Sequence, residues 1–176
     1  MEPEPRETPA EPGEDVSEMA AMPDDDVHRH AHQGPGFTYS VPDGWQLQEP
    51  SSMKLLSLLA GSPPEELAEL SVSAFPGDVG GQLANINRWR RQVGLGPLSP
   101  EAADEFVTSI QISGMDGWQV DFTGPEGTSE RGGATRVRVA VLVHEDKSWF
   151  FKLMGEESSV ADELEGYEAF LRSVQF

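Results

Sequence analysis

The chain of 176 residues contains no cysteine. That excludes disulfides, thiolate metal ligands and cysteine nucleophiles, but it leaves the compartment open, because exported proteins also fold without disulfides. Basic charge is scarce: 12 Lys and Arg stand against 31 Asp and Glu, a formal net charge of -19. A field of that sign repels phosphate backbones, which nucleic-acid binders neutralise with Lys and Arg, and it disfavours anionic membrane surfaces. No nucleic-acid partner is therefore expected. Long apolar runs are missing too. The greasiest stretch, Lys54 to Ala60, has the length of a strand and falls far short of the roughly 18 apolar residues that mark a membrane span. Glu2-Pro3-Glu4-Pro5 has neither the basic start nor the apolar run of an export signal. Two locations are expected in turn: an extracytoplasmic one with the signal already removed, or alternatively the cytoplasm.

What is present divides the chain in two. Residues 1–36 hold ten acidic and two basic side chains, many prolines and no Phe, Trp or Tyr. Such a segment buries too little apolar surface to offset its chain entropy, and reads as a disordered, self-repelling acidic tether. Residues 37–176 hold 21 acidic and ten basic side chains, and here hydrophobic periodicity appears. Phe37, Tyr39 and Val41 alternate with polar residues, and Pro42-Asp43-Gly44 forms a turn before Trp45. Met53–Leu59 reads as a strand, Gly61-Ser62-Pro63-Pro64 as a break, and Leu70, Val72 and Ala74 as one buried face of a third strand.

A helix is expected over 82–93. On a helical wheel Leu83, Ile86, Trp89 and Val93 share a face, Arg88 and Arg91 point away, and Arg90 sits at the edge where it must snorkel or find a carboxylate. Gly94-Leu95-Gly96-Pro97 stops it, and Ser99-Pro100 opens a short second helix. Two strands, 106–112 and 118–122, are expected next, then a mobile loop over 123–135 with four glycines. A hairpin follows, with Val137, Val139, Val141 and Val143 leading into Trp149–Met154. A closing helix carries Val160, Leu164, Tyr167 and Leu171, with Ser159-Val160-Ala161-Asp162 as its capping box. The fold class is α+β, an antiparallel sheet of about six or seven strands flanked by helices.

This order of elements resembles the PsbP/Mog1-like fold over residues 37–176, an α/β/α sandwich found in photosystem accessory proteins, a Ran-binding protein and small bacterial exported proteins. Locally, Phe75-Pro76-Gly77-Asp78 with Gly80-Gly81, Asn87, Arg88-Trp89-Arg90 and Trp149-Phe150-Phe151-Lys152 look like uncharacterised bacterial secreted proteins and lipoproteins. The resemblance implies that fold, an extracytoplasmic location and a lipid anchor upstream of this sequence. It implies no reaction.

Four constellations carry chemistry. Arg88, Arg90 and Arg91 form the densest basic cluster. With Asp78, Gly80, Gly81, Asn85 and Gln92, Arg88 and Arg91 read as a recognition face for a protein partner of the envelope. The plain alternative is solvated helix charge, each surface pair being worth at most about 1 kcal/mol. Gly77, Gly80 and Gly81 precede the helix and could offer amides to an anion. They equally serve a strand-to-helix turn with Asp78 bonding nearby amides. No phosphate-loop or dinucleotide glycine pattern occurs, and no cofactor is expected. His28, His30 and His32 follow Asp24-Asp25-Asp26 and could capture a divalent metal if the chain ordered around the ion; the alternative is a linker. His144, beside Glu145 and Asp146, is the domain's lone histidine, either a small enzyme's centre or a surface hairpin residue, and no elbow or zinc-helix motif accompanies it. Of the four tryptophans, Trp89 and Trp149 read as core anchors and Trp45 as the one left partly exposed.

Overall fold

Strand alternation sets the architecture. The structure, a computed structural model, describes residues 31–63 and 67–176. Seven strands form one sheet: β3 (Gln46–Leu47), β4 (Leu56–Ala60), β5 (Ala68–Pro76), β6 (Thr108–Ile112), β7 (Met115–Thr123), β8 (Thr135–His144) and β9 (Lys147–Glu156), in the spatial order β3-β4-β5-β9-β8-β7-β6. Every pairing in it is antiparallel. The expected α+β class is the one found. β8 and β9 run centrally and are buried on both faces, which is why they read as near-continuous apolar runs.

Each sheet face has its own core. On one face Leu70, Val72, Leu142, Phe151 and Leu153 pack with Tyr167, Phe170 and Leu171 of helix α4 (Leu164–Ser173). Phe37, Tyr39 and Trp45 join the same cluster. On the other face Val120, Phe122, Val137, Val139, Val141 and Phe150 meet Ile86, Trp89 and Val93 of helix α1 (Gly81–Gln92) and its C-cap. Ala103 of helix α2 (Pro100–Asp104) completes that layer. Full burial of each large apolar side chain contributes about 1.5–3 kcal/mol, so the wheel stripe on α1 is what fixes its place on the sheet. α2 opens as expected, with the Ser99 hydroxyl accepting from the Ala102 amide and Pro100 at the first turn.

Several local expectations are corrected. Trp45 is 7% exposed, buried rather than partly exposed: its indole N–H donates to Glu163 at 2.7 Å, and its ring lies where a Cβ on Gly166 would come within 3.0 Å. Only a glycine in α4 leaves room for that indole. The capping box at Ser159 is not used. β9 runs straight into helix α3 (Glu157–Asp162), whose first amide donates to the Ala134 carbonyl, and Ser159 lies inside that helix. The 123–135 segment is pinned rather than loose. Thr128 Oγ1 donates to Pro125 O and accepts from the Thr135 amide, Gly124 donates to Thr135 O, and Ser129 donates to Gly133 O.

At the N-terminal side, β1 (His32–Gln33) pairs with β2 (Thr38–Tyr39) as a separate ribbon. Thr38 exchanges both backbone hydrogen bonds with Gln175, so residues 32–39 and the C-terminus are tied together. Among the described residues no helix is long and apolar enough to cross a membrane.

Candidate functional site

The strand-to-helix turn is built by its glycines and closed by its own hydrogen bonds. Gly77, Gly80 and Gly81 all have positive φ, where a side chain is disfavoured. The Gly77 amide donates to Asp146 O, the Gly80 amide to Asp78 O, and the Gly81 amide to Asp78 Oδ1 at 3.1 Å. Those three N–H groups are engaged within the fold, so they do not form an anion nest. Asn85 is 4% exposed and donates from Nδ2 to the carbonyls of Val79 and Gly81, both at 2.9 Å. It is a clamp between helix and turn rather than a member of an outward face.

The arginine cluster is divided by the helix geometry. Arg90 Nε donates to Gly96 O at 2.7 Å, and its guanidinium lies over the Phe106 and Phe122 rings, 5.8 and 5.1 Å from their centroids. It finds a carbonyl and two π faces instead of a carboxylate, a cation–π contribution of about 0.5–1 kcal/mol at a half-exposed position. Arg91 is exposed and stands apart. Arg88 and Gln92 turn toward a groove of about 340 Å³ between α1 and the open part of the sheet.

That groove brings together four distant segments. Its lining includes Met53 and Lys54, Ser71, Ser73 and Phe75 of β5, Arg88, Trp89 and Gln92, and Phe150 and Lys152 of β9. Register explains the convergence: Ser71 pairs with Lys152 and Ser73 with Phe150, so these side chains share a face. α1 covers only the β7–β8–β9 part of that face. Beside the helix, Ser71 and Ser73 of β5 form part of the groove lining.

The electrostatics are the reverse of the chain as a whole. Three cations, Lys54, Arg88 and Lys152, line the groove. The nearby carboxylate of Glu69 is already held by Lys54 at 2.5 Å and by the Ser57 hydroxyl at 2.7 Å. Burial pushes Glu69 up, but those two hydrogen bonds and the charges of Lys54 and Lys152 outweigh it and hold its carboxyl below the usual range. The side chains of Arg88 and Lys152 make no hydrogen bond or ion pair among the described residues. Burial, then the charge of Lys54, lowers the Lys152 pKa; Glu69 partly restores it and Arg88 lowers it further. Ser71, 6% exposed, also has no side-chain hydrogen bond among the described residues.

The remaining sequence candidates lie elsewhere. His144 pairs with Lys147 at the end of the β8–β9 hairpin, is half buried, and packs on Phe176 with ring centroids 4.7 Å apart. Its imidazole makes no hydrogen bond or ion pair among the described residues. His32 stacks on Tyr39 at 5.4 Å; His28 and His30 lie outside the described residues. No group of three His, Cys, Asp or Glu among the described residues could hold a metal ion. Sequence reasoning misses Lys54, Ser71, Ser73 and Lys152 as site residues. A lysine within Trp149–Met154 and the outward serines of β5 are the signals that could have found them.

No protein-family model matches the chain, and no curated protein matches it. Solved structures do. LpqN of Mycobacterium tuberculosis, described as involved in cell envelope biogenesis, aligns at 14% identity over 83% of this chain and 86% of its own, with a TM-score of 0.53. The cyanobacterial PsbP, CyanoP, of Synechocystis aligns at 13% identity over 80% and 86%, TM-score 0.48. A protein of Bacteroides thetaiotaomicron aligns at 12% identity, TM-score 0.49, over 79% of this chain and 44% of that one, so the chain spans less than half its length. At these identities the likeness is one of fold: with LpqN the chain shares an α+β arrangement on an antiparallel sheet, the class expected from the sequence.

Proposed function

We propose that this chain is a non-enzymatic, extracytoplasmic binding or accessory domain, and that it meets a protein partner of the cell envelope through the outer side of α1. The contact face comprises Arg88, Arg91 and Gln92 with the turn residues Asp78, Gly80 and Gly81; Asn85 supports it from beneath. The observation that carries the reading is Arg88, an arginine without a carboxylate among the described residues in a chain of net charge -19. Surrounded by so many acidic side chains, a cation left unpaired at the lip of a groove is suited to an external acidic group. The fold shared with LpqN, described as involved in envelope biogenesis, favours the envelope over the cytoplasm. An upstream lipid anchor belongs to the same proposal.

The test is crosslinking capture from the source organism's envelope fraction, with the full chain and its Arg88→Glu/Arg91→Glu variant as parallel baits. One protein should be captured by the first and lost with the second. It should then bind the purified wild-type chain in a calorimeter. Equal captures, or none with either bait, would refute this face.

A further inference from the structure

We propose that the groove between α1 and β5 is a ligand site for a compact phosphomonoester, a dianionic phosphate on an aromatic or short apolar body. This goes beyond the accessory reading, because occupancy of the groove needs no protein partner and does not involve Arg91. Three observations carry it. First, of the three groove cations, Lys54 pairs directly with Glu69; Lys152 is only partly offset by the charge of Glu69, and neither it nor Arg88 has an ion pair among the described residues. A phosphate monoester near neutral pH carries about two negative charges and neutralises both. Arg88 offers a planar fork for two phosphate oxygens, and Lys152 offers a point charge.

Second, the floor carries an unused donor. Ser71 lines the groove, is only 6% exposed, and makes no side-chain hydrogen bond among the described residues. Beside it the Ser73 hydroxyl donates to the Met53 carbonyl at 2.8 Å, so its oxygen lone pairs and not its proton face a ligand. The Ser71 hydroxyl opens onto the groove without a protein partner among the described residues, so a phosphate oxygen entering there can accept its hydrogen bond. Third, the other walls are apolar: Met53, Phe75, Trp89 and Phe150. A mostly apolar lining with a few convergent polar groups, at a volume near 340 Å³, is the usual make-up of a small-ligand site.

The long-range field of the chain does not forbid this. At physiological salt it is screened within about 8 Å, so a small anion inside the groove meets the local cations, whereas an extended polyanion meets the acidic surface as well. The lowered pKa of Lys152 agrees with a cation awaiting a counter-charge.

Phenyl phosphate is the probe, titrated into the full-length protein and followed by backbone amide shifts, with inorganic phosphate and phenol as separate arms. Saturable shifts are expected at Ser71, Ser73, Phe75 and Lys152. Inorganic phosphate and phenol should each bind at least about tenfold more weakly. Lys152→Met and Arg88→Met should each weaken phenyl phosphate by about tenfold, the scale of one charged hydrogen bond, and Arg91→Met should leave it unchanged. Thermal melts of the variants confirm that they are folded. Absence of saturation at millimolar probe, binding that survives both substitutions, or equal affinity for inorganic phosphate alone (an adventitious ion only) would each overturn the proposal. An Arg91→Glu variant that loses protein capture yet keeps phenyl phosphate binding is the result that sets the groove apart from the partner face and supports the proposal.

Discussion

Lys152→Met should make the protein more stable, and the reason lies in what surrounds the ammonium. The residue occupies β9 between Phe150 and Met154 on the α1 face, paired across strands with Ser71 and Val139. It makes no ion pair among the described residues. Burial, then the positive charge of Lys54, depresses its pKa, with Arg88 adding to the effect and Glu69 partly opposing it. A base with a depressed folded pKa costs stability when charged. Below that value the cost is fully present. Between it and the ordinary lysine value of about 10.4, the unfolded chain binds more protons, so stability rises with pH.

Methionine has a similar length, carries no charge and adds contacts to Phe150. The gain expected at neutral pH is about 1 kcal/mol, within the roughly 0.5–2 kcal/mol typical when a functional compromise is removed. For a chain of this size that raises Tm by roughly 2–4 °C. Urea unfolding by circular dichroism at pH 7 and again near pH 10 is the assay. The variant should lead at pH 7, and its lead should shrink at the higher pH. A variant less stable than wild type by about 1 kcal/mol or more would refute the reasoning, because Lys152 would then be held by a partner more strongly than the partial offset from Glu69 allows.

Other expectations follow from the same structure. Asn85→Leu removes two hydrogen bonds that tie the turn to α1 and should cost about 1–3 kcal/mol by urea titration, with amide exchange rising first at Gly80 and Gly81. Gly124→Val places a Cβ 1.8 Å from the Val93 carbonyl oxygen, a clash with backbone that should cost about 3 kcal/mol or more; a melt unchanged from wild type would contradict the pinned loop. Glu145 and Asp146 both hold positive φ in a two-residue hairpin, so Glu145→Asn with Asp146→Gly should stabilise by about 0.5–2 kcal/mol.

The sheet and the main helix are legible because each depends on local period. Leu70 and Val72 alternate with serines, and Ile86, Trp89 and Val93 repeat at helical spacing, so each element reports its buried face from within a few residues. The groove is not legible, because it exists only after Ser71 pairs with Lys152 across the sheet, from the opposite end of the domain's sequence. Arg88 reads from the sequence as basic and outward, yet which of its neighbours accompany it depends on where α1 stops covering the sheet. Trp45 misleads for a similar reason. Its burial depends on Gly166 and Glu163, far along the chain, whereas the turn before it suggests exposure. Asn85 has the look of a surface amide until the positive-φ glycines bend the preceding chain back over it. At Ser159 a plausible local signal loses to continuity: the helix begins where β9 ends, and the carbonyl of Ala134 supplies the acceptor.

The most direct test asks where a partner touches the molecule. A photoreactive benzoylphenylalanine placed at Gln92, exposed on α1, and separately at Glu165, exposed on α4, reports contact on opposite faces of the sheet in intact cells. A discrete adduct from position 92 and none from position 165 is the result predicted. An adduct from position 165 alone, or equal adducts from both, would contradict the assignment of the α1 face.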